Sequence, residues 1–193
     1  KLFNDKGVDE LLFLDIDATK KNLLPNYKLI SEIASECFMP LAYGGGVKDL
    51  NTIENILKLG IEKVSLNNAF LKNEKLCEMA SKEFGSSTII GSVDIKKNFL
   101  GQYKVYDHVS KKITKKDPVD YVISLQNRGV GEIFINNVDK DGTMTGYDIT
   151  LINKIANSIK IPIVPCGGAS SLQDISNLFS NTNLTAIAAG SIF

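Results

Sequence analysis

Three features of the sequence predict an α/β barrel assembled from two half-barrels, each a (βα)4 unit. Short apolar runs alternate with amphipathic stretches, the sequence repeats itself at an offset of 122 residues, and paired glycines recur in register in both copies. Near-continuous apolar runs belong to parallel strands buried on both faces, which need helices between them. Two copies of a four-strand unit close an eight-stranded (βα)8, or TIM, barrel.

In chain order, the strand-like runs fall at residues 10–15, 40–43, 63–66, 88–94, 132–136, 161–165 and 185–189. Between them, residues 26–36 and 52–59 carry apolar side chains at three- and four-residue spacing, the period of a helix with one buried face. Residues 98–113 differ. There Tyr103, Val105 and His108 alternate with polar residues around Gly101, which reads as a β-hairpin inserted after the 88–94 strand. No linker or low-complexity segment interrupts the chain, so residues 1–193 read as a single domain.

The repeat is dense. A shift of 122 carries Glu10 onto Glu132, Asp17 onto Asp139, and Ile33-Ala34 onto Ile155-Ala156. It also carries Pro40 onto Pro162, Gly45-Gly46 onto Gly167-Gly168, Leu50 onto Leu172 and Asn68 onto Gly190. Shared apolar spacing alone does not place Pro-x-x-x-x-Gly-Gly twice in register. Seven strands are visible where eight are needed, and the counterpart of 88–94 falls roughly 30 residues before Lys1. The expectation is a fragment that lacks the first strand and the last helix of the intact barrel.

Composition narrows the function. The 193 residues hold 44% hydrophobic side chains and 22 basic against 22 acidic groups, which fits one soluble domain. Zero net charge argues against a nucleic-acid binder, and no apolar run approaches the roughly 18 residues a membrane span requires. Cys37, Cys77 and Cys166 are scattered without metal or disulfide spacing, so a cytoplasmic setting is expected. With His108 as the one histidine, neither a metal site nor a cofactor is expected.

In such barrels the chemistry gathers on loops at the C-terminal ends of strands. Four small-residue clusters sit there: Gly44-Gly45-Gly46, Asn67-Asn68, Gly167-Gly168 and Gly190-Ser191. One glycine pair is merely a tight turn. Two symmetric sets can turn backbone N–H groups on two phosphates at opposite sides of one mouth. Asp94 ends its strand where a carboxylate would project into that mouth as an acid or base. Asp15 and Asp17 are expected on one face of an extended chain, and Asp139, Asp141, Gly142 and Thr143 form an Asp-x-Asp-Gly-Thr turn. At the opposite end Glu10, Lys63 and Glu132 each open a strand; charges there ordinarily form a solvated rim, yet Lys63 between two glutamates of nearby strands can make an inward ion-pair plug. Cys166 reads as a small packing residue and His108 as a surface residue of the hairpin.

The stretches DELLFLDIDAT, YGGGVKDL, EKVSLNNA, SVDIKK, GVGEIFINNVDKDGTMTGYD and PCGGA resemble the cyclase subunit of imidazole glycerol phosphate synthase, over nearly the whole chain. That resemblance implies a lyase of histidine biosynthesis. It would close the imidazole ring of a bis-phosphorylated ribulosyl precursor with ammonia from a docked glutaminase. It further implies that Asp94 is one of two catalytic aspartates. Gly46, Asn67 and Asn68 would hold one substrate phosphate, and Asp141, Gly142, Gly168, Gly190 and Ser191 the other. Glu10, Lys63 and Glu132 would form an ammonia gate. Asp17, Tyr43 and Cys166 depart from the family pattern, and SECFMPLAYGGG is similar to a paralogous branch that supplies ammonia for acetamidino sugars of surface glycans. The sister phosphoribosyl isomerase is a third reading.

Overall fold

The computed structural model describes residues 7–190. Six strands run parallel in one sheet. They are β1 (Leu11–Leu14), β2 (Leu41–Gly44), β3 (Lys63–Leu66), β4 (Ile89–Lys97), β7 (Glu132–Asn137) and β8 (Ile163–Cys166), hydrogen-bonded in that order. Helices α1 (Tyr27–Glu36), α2 (Leu50–Leu57), α3 (Asn68–Lys72), α4 (Glu74–Phe84), α5 (Pro118–Asn127), α6 (Ile149–Ala156) and α7 (Leu172–Asn181) follow the strands. Strands β5 (Tyr103–Asp107) and β6 (Lys112–Ile113) form the inserted hairpin.

Local chemistry fixes where the helices begin. Side chains of Asn26, Asp49, Asp117, Asp148 and Ser171 each accept a bond from an N–H of the first turn, satisfying a donor that has no intrahelical partner. Pro118 opens α5, where its missing N–H is no loss. The helices then bury one face on the outside of the sheet, with Ile53, Ile56, Phe70, Val122, Leu125 and Ile155 fully enclosed. Each such side chain contributes about 1.5–3 kcal/mol relative to exposure.

The inner face of the sheet carries a second, smaller cluster of Ala42, Ile90 and Phe134, against which Leu12, Val164 and Ala188 pack. Leu12 on β1 and Val164 on β8 stand five strand spacings apart, roughly 24 Å in a flat sheet. Their shared cluster requires the sheet to curl into a barrel wall. Alternation then sends Lys63 and Ser65 of β3, Ile90, Ser92 and Asp94 of β4, and Glu132, Phe134 and Asn136 of β7 inward.

The two halves obey the repeat. Pairs Leu11–Leu41 through Leu14–Gly44 reappear as Ile133–Ile163 through Asn136–Cys166, every residue displaced by 122. Helices α1 and α2 start at Tyr27 and Leu50, and α6 and α7 at Ile149 and Leu172. Even the left-handed residues correspond, with φ of 52° at Asn22 and 53° at Met144.

Three expectations need correction. The 185–189 run forms no strand among the described residues; Ala188 N–H bonds to the Pro165 carbonyl at 2.9 Å, and Tyr147 Oη donates to the Ala188 carbonyl at 3.0 Å. In that register the next ladder donor toward Ala186 would be the N–H of residue 165, and proline has none. The 88–94 strand runs on to Lys97, so its own end pairs antiparallel with β5, Lys97 opposite Tyr103. Finally, Asp15 and Asp17 lie on a turn after β1, not on an extended face. Asp15 Oδ1 accepts from the N–H groups of Asp17 and Ala18, and Asp17 pairs with exposed Lys21 at 2.7 Å.

Candidate active site

The mouth of the curled sheet encloses a cavity of about 390 Å3. Asp94 reaches it from the inward face of β4 with only 8% exposure, and three side chains converge on its carboxylate. Asn67 Nδ2 donates to Oδ2 at 2.9 Å, Asn136 Nδ2 donates to Oδ1 at 3.0 Å, and His108 Nδ1 lies 3.0 Å from Oδ2. Each partner comes from a different element: the loop after β3, the adjacent register position on β7, and the hairpin. The carboxylate is thus fixed in orientation and kept in polar company despite its burial.

The phosphate-loop candidates are brought to the same rim, though several of their donors are already engaged. Gly46 N–H bonds to Thr19 Oγ1 at 2.9 Å. Asn68 is buried at the start of α3, and its Nδ2 donates to Asp107 Oδ1 at 2.9 Å, tying the loop to the hairpin. Burial would push the Asp107 carboxyl up, yet bonds from Ser110 and from the N–H groups of Ser110 and Val109 outweigh it and hold it low. Gly168 is buried in the loop after β8, whereas Gly190 is exposed. Asp141 lines the cavity, while Gly142 sits on the exposed turn beside it with φ of 71°. Ser191 lies outside the described residues.

Gly45 and Gly168 explain why glycine stands in both turns. Each has a left-handed φ, 119° and 102°, and a Cβ there would lie 2.3 Å from a carbonyl oxygen, that of Asp15 or Gly146. Only a residue without a side chain lets the loops close on the strand ends.

On the barrel floor, Lys63 Nζ lies 2.7 Å from Glu10 Oε2 and 2.9 Å from Glu132 Oε2. Burial alone would lower the Lys63 pKa, but the two glutamate hydrogen bonds prevail and raise it. Between floor and mouth stand Ser65 and Ser92, both buried, and Ser65 Oγ has no partner among the described residues. Cys166 faces the cavity, and burial pushes its thiol up to about 11, which keeps it protonated and inert as a nucleophile at neutral pH.

Two placements escaped the sequence reading. His108 is not a surface residue: it folds over the mouth onto Asp94. Thr19 and Lys20, on the turn after β1, also line the cavity. Among the described residues no group of three or more His, Cys, Asp or Glu side chains is placed to hold a metal ion, and no helix is long and apolar enough to cross a membrane.

The chain is similar to known proteins along its whole length. The chain is 45% identical over 193 residues to a Pseudomonas aeruginosa protein provisionally named imidazole glycerol phosphate synthase subunit hisF2, covering all of this chain and 77% of that one. It is 43% identical over 194 residues to a Leptospira borgpetersenii protein provisionally named imidazole glycerol phosphate synthase subunit HisF, covering all of this chain and 76% of the relative. The imidazole glycerol phosphate synthase subunit HisF of Leuconostoc mesenteroides is 37% identical over 194 residues, again with all of this chain and 76% of the relative covered. The family model described as "Histidine biosynthesis protein" matches residues 1–193, and with a duplicated half-barrel beneath the match, the chain belongs to that family.

Proposed function

We propose that this chain is the cyclase subunit of an imidazole glycerol phosphate synthase, a lyase in histidine biosynthesis, and that residues 1–193 act as one barrel domain. The observation that carries the reading is Asp94, oriented by two amide donors and by His108 Nδ1 at the mouth and aligned above a charged floor. The substrate is a ribulosyl aminoimidazole carboxamide derivative with a phosphate at each end. One phosphate lies against Gly46, Asn67 and Asn68, the other against Asp141, Gly142, Gly168, Gly190 and Ser191.

A glutaminase subunit docks on the floor and releases ammonia beside Lys63. The ammonia passes Ser65 and Ser92 to the mouth and attacks the ribulosyl carbonyl, giving an imine after loss of water. Ring closure then expels the carboxamide half, and Asp94 relays protons in these steps. The products are imidazole glycerol phosphate and the aminoimidazole carboxamide ribotide. Such chemistry suits a soluble, cytoplasmic enzyme.

The test is cyclisation by the full-length protein, first with ammonium salts alone and then with glutamine and the partner. Asp94→Asn removes the base while keeping shape and most hydrogen bonding. A loss of ammonium-dependent turnover of roughly 10²-fold or more supports the assignment. No cyclisation by the unaltered protein overturns it, and would redirect the ammonia to a different acceptor such as the modified sugar of the glycan branch.

A further inference from the structure

We infer that His108 is a second proton-transfer residue of this site: Asp94 holds its Nδ1–H, and the imidazole presents Nε2 to the cavity. The inference rests on the reading of the mouth as a proton-transfer site and deepens it. Its basis is geometric. An ionised carboxylate can only accept, so the contact at 3.0 Å between His108 Nδ1 and Asp94 Oδ2 places the hydrogen on Nδ1. That leaves Nε2 with its lone pair on the far side of the ring. His108 lines the cavity with 27% of its side chain exposed, and Nε2 has no protein partner among the described residues.

The same hydrogen bonds limit what Asp94 can do by itself. Of the roughly four acceptor positions on a carboxylate, Asn67, Asn136 and His108 occupy three. A base so enclosed meets substrate poorly, whereas an imidazole pinned by that base meets it well. An anion behind the ring also stabilises the imidazolium formed when Nε2 accepts a proton, the division of labour found wherever a carboxylate orients a histidine. Around the pair stand Asp15 and Lys20 after β1, Tyr106 and Asp107 on the hairpin, Asp141 after β7 and Cys166 on β8.

The step balances within substrate and imidazole. A substrate N–H or C–H bond breaks, its electron pair stays on the substrate, and the proton bonds to the Nε2 lone pair. When the C–N bond to the carboxamide half breaks, the departing nitrogen keeps that electron pair and takes the proton back from Nε2, restoring the neutral ring.

The hairpin holds His108 for this task. Tyr103 Oη donates to Asp148, the cap of α6, and Asn68 Nδ2 donates to Asp107 beside the histidine. The strand that delivers His108 is therefore bolted to both halves of the barrel.

Two measurements on the full-length protein decide the point. In ammonium-dependent cyclisation, His108→Gln should lose roughly 10²-fold in kcat with little change in KM, because glutamine can still donate to Asp94 but cannot exchange a proton. Imidazole in the buffer should restore turnover to His108→Gly, and Asp94→Asn/His108→Gln should be no slower than the slower single variant. His108→Gln retaining turnover within about threefold overturns the inference and leaves the histidine as a mere cap on Asp94. Independently of any substrate, His108 is the only histidine of the 193 residues, and comparison of the full-length protein with His108→Gln assigns its ring nitrogen resonances. The neutral ring should carry its hydrogen on Nδ1, and Asp94→Asn should shift it toward Nε2. A ring protonated on Nε2 overturns the inference whatever the turnover. An Nδ1–H ring in a protein that fails to cyclise leaves the dyad standing and sinks the cyclase reading alone.

Discussion

Removing the charge of Lys63 is the most informative single perturbation, because its cost can be worked out from the floor geometry. Lys63→Met keeps the apolar stem and deletes the ammonium. Two carboxylate oxygens that lay 2.7 and 2.9 Å from Nζ, hence at most about 5.6 Å from each other, then face one another with no cation between them. At an effective dielectric near 20 that repulsion, which the ammonium more than offsets in the parent, is about 3 kcal/mol and now stands uncompensated. The side chains of Glu10 and Glu132 are 34% and 19% exposed, so water screens part of it and about 2 kcal/mol remains. In a protein of this size that lowers Tm by roughly 4–8 °C.

Urea unfolding followed by circular dichroism measures the change, which should move the midpoint and leave the slope unaltered. The double variant Lys63→Met/Glu10→Gln provides an internal check, since removing one carboxylate removes the repulsion and should restore at least half of the loss. The pH dependence has a definite sign. The Lys63 pKa is raised above 10.5, so its stabilisation is fully present below that pH and disappears only as pH climbs through the higher folded value. The gap between parent and variant should hold throughout the neutral range. In turnover, ammonium-dependent cyclisation should persist while glutamine-dependent cyclisation falls, because ammonia added to solution can enter at the mouth. A variant as stable as its parent, or a double variant less stable than the single, would refute the picture of a floor held by one shared cation. Equal loss in both assays would refute its role in ammonia passage.

Other substitutions probe the mouth. Gly45→Ala and Gly168→Ala should each destabilise by about 2–3 kcal/mol, since both combine a left-handed φ with a carbonyl 2.3 Å from the new Cβ. Gly101→Ala, left-handed but with open space around it, should cost about 1 kcal/mol; equal costs at all three sites would remove close approach as the cause. Cys166 should react with iodoacetamide about tenfold faster per pH unit up to about 11, measured by mass spectrometry of its peptide, and a plateau near neutrality would contradict the burial argument. Crystals soaked in phosphate should show anions at Gly46–Asn67–Asn68 and near Gly168–Gly190; anions found only elsewhere on the surface count against two-phosphate recognition.

Much of this was legible in the sequence because it is written locally. A helix cap, a glycine turn and a run of apolar strand residues each depend on a few neighbours, so duplicated local signals locate α1, α2, α6 and α7 and the register of both strand pairs. Lys63 could be placed near Glu10 and Glu132 because all three open strands at the same end, although that position alone reads as a solvated rim and only the folded sheet turns them into an ion-pair cluster. His108 was not legible in that way. Its contact with Asp94 depends on β4 running on to Lys97 and folding back through β5, a tertiary event with no period of its own. One signal was available. Val105 faces the core, so Tyr106 and His108 have the opposite parity and both reach the cavity. The 185–189 run fails as a strand because the ladder it would need meets Pro165, a partner-dependent fact that the apolar run itself does not encode.

The duplication also separates scaffold from chemistry. Positions that agree across the 122-residue offset build the frame: Glu10 and Glu132 at the floor, Gly45 and Gly167 at the turns, and the capping side chains Asn26 and Asp148. Positions that differ fall where the molecule has to act once. Lys63 corresponds to Thr185, so among the described residues the two symmetric glutamates share a single lysine. Asn136 corresponds to Leu14, so the amide that orients Asp94 exists on one side of the mouth only. Asn67 and Asn68 correspond to Ala189 and Gly190, which lack the side-chain donors that reach Asp94 and Asp107. Exchanging the two sets tests the division directly. Leu14→Asn adds an amide on the side of the mouth away from Asp94 and should leave turnover within a few-fold of the parent. Asn136→Leu strips Asp94 of a 3.0 Å donor and should lower kcat by roughly 10-fold or more, the size of a charge-assisted hydrogen bond of about 1.5–3 kcal/mol. Equal effects at the two positions would mean that the copies have not divided the work, and that Asp94 is not the centre of the chemistry.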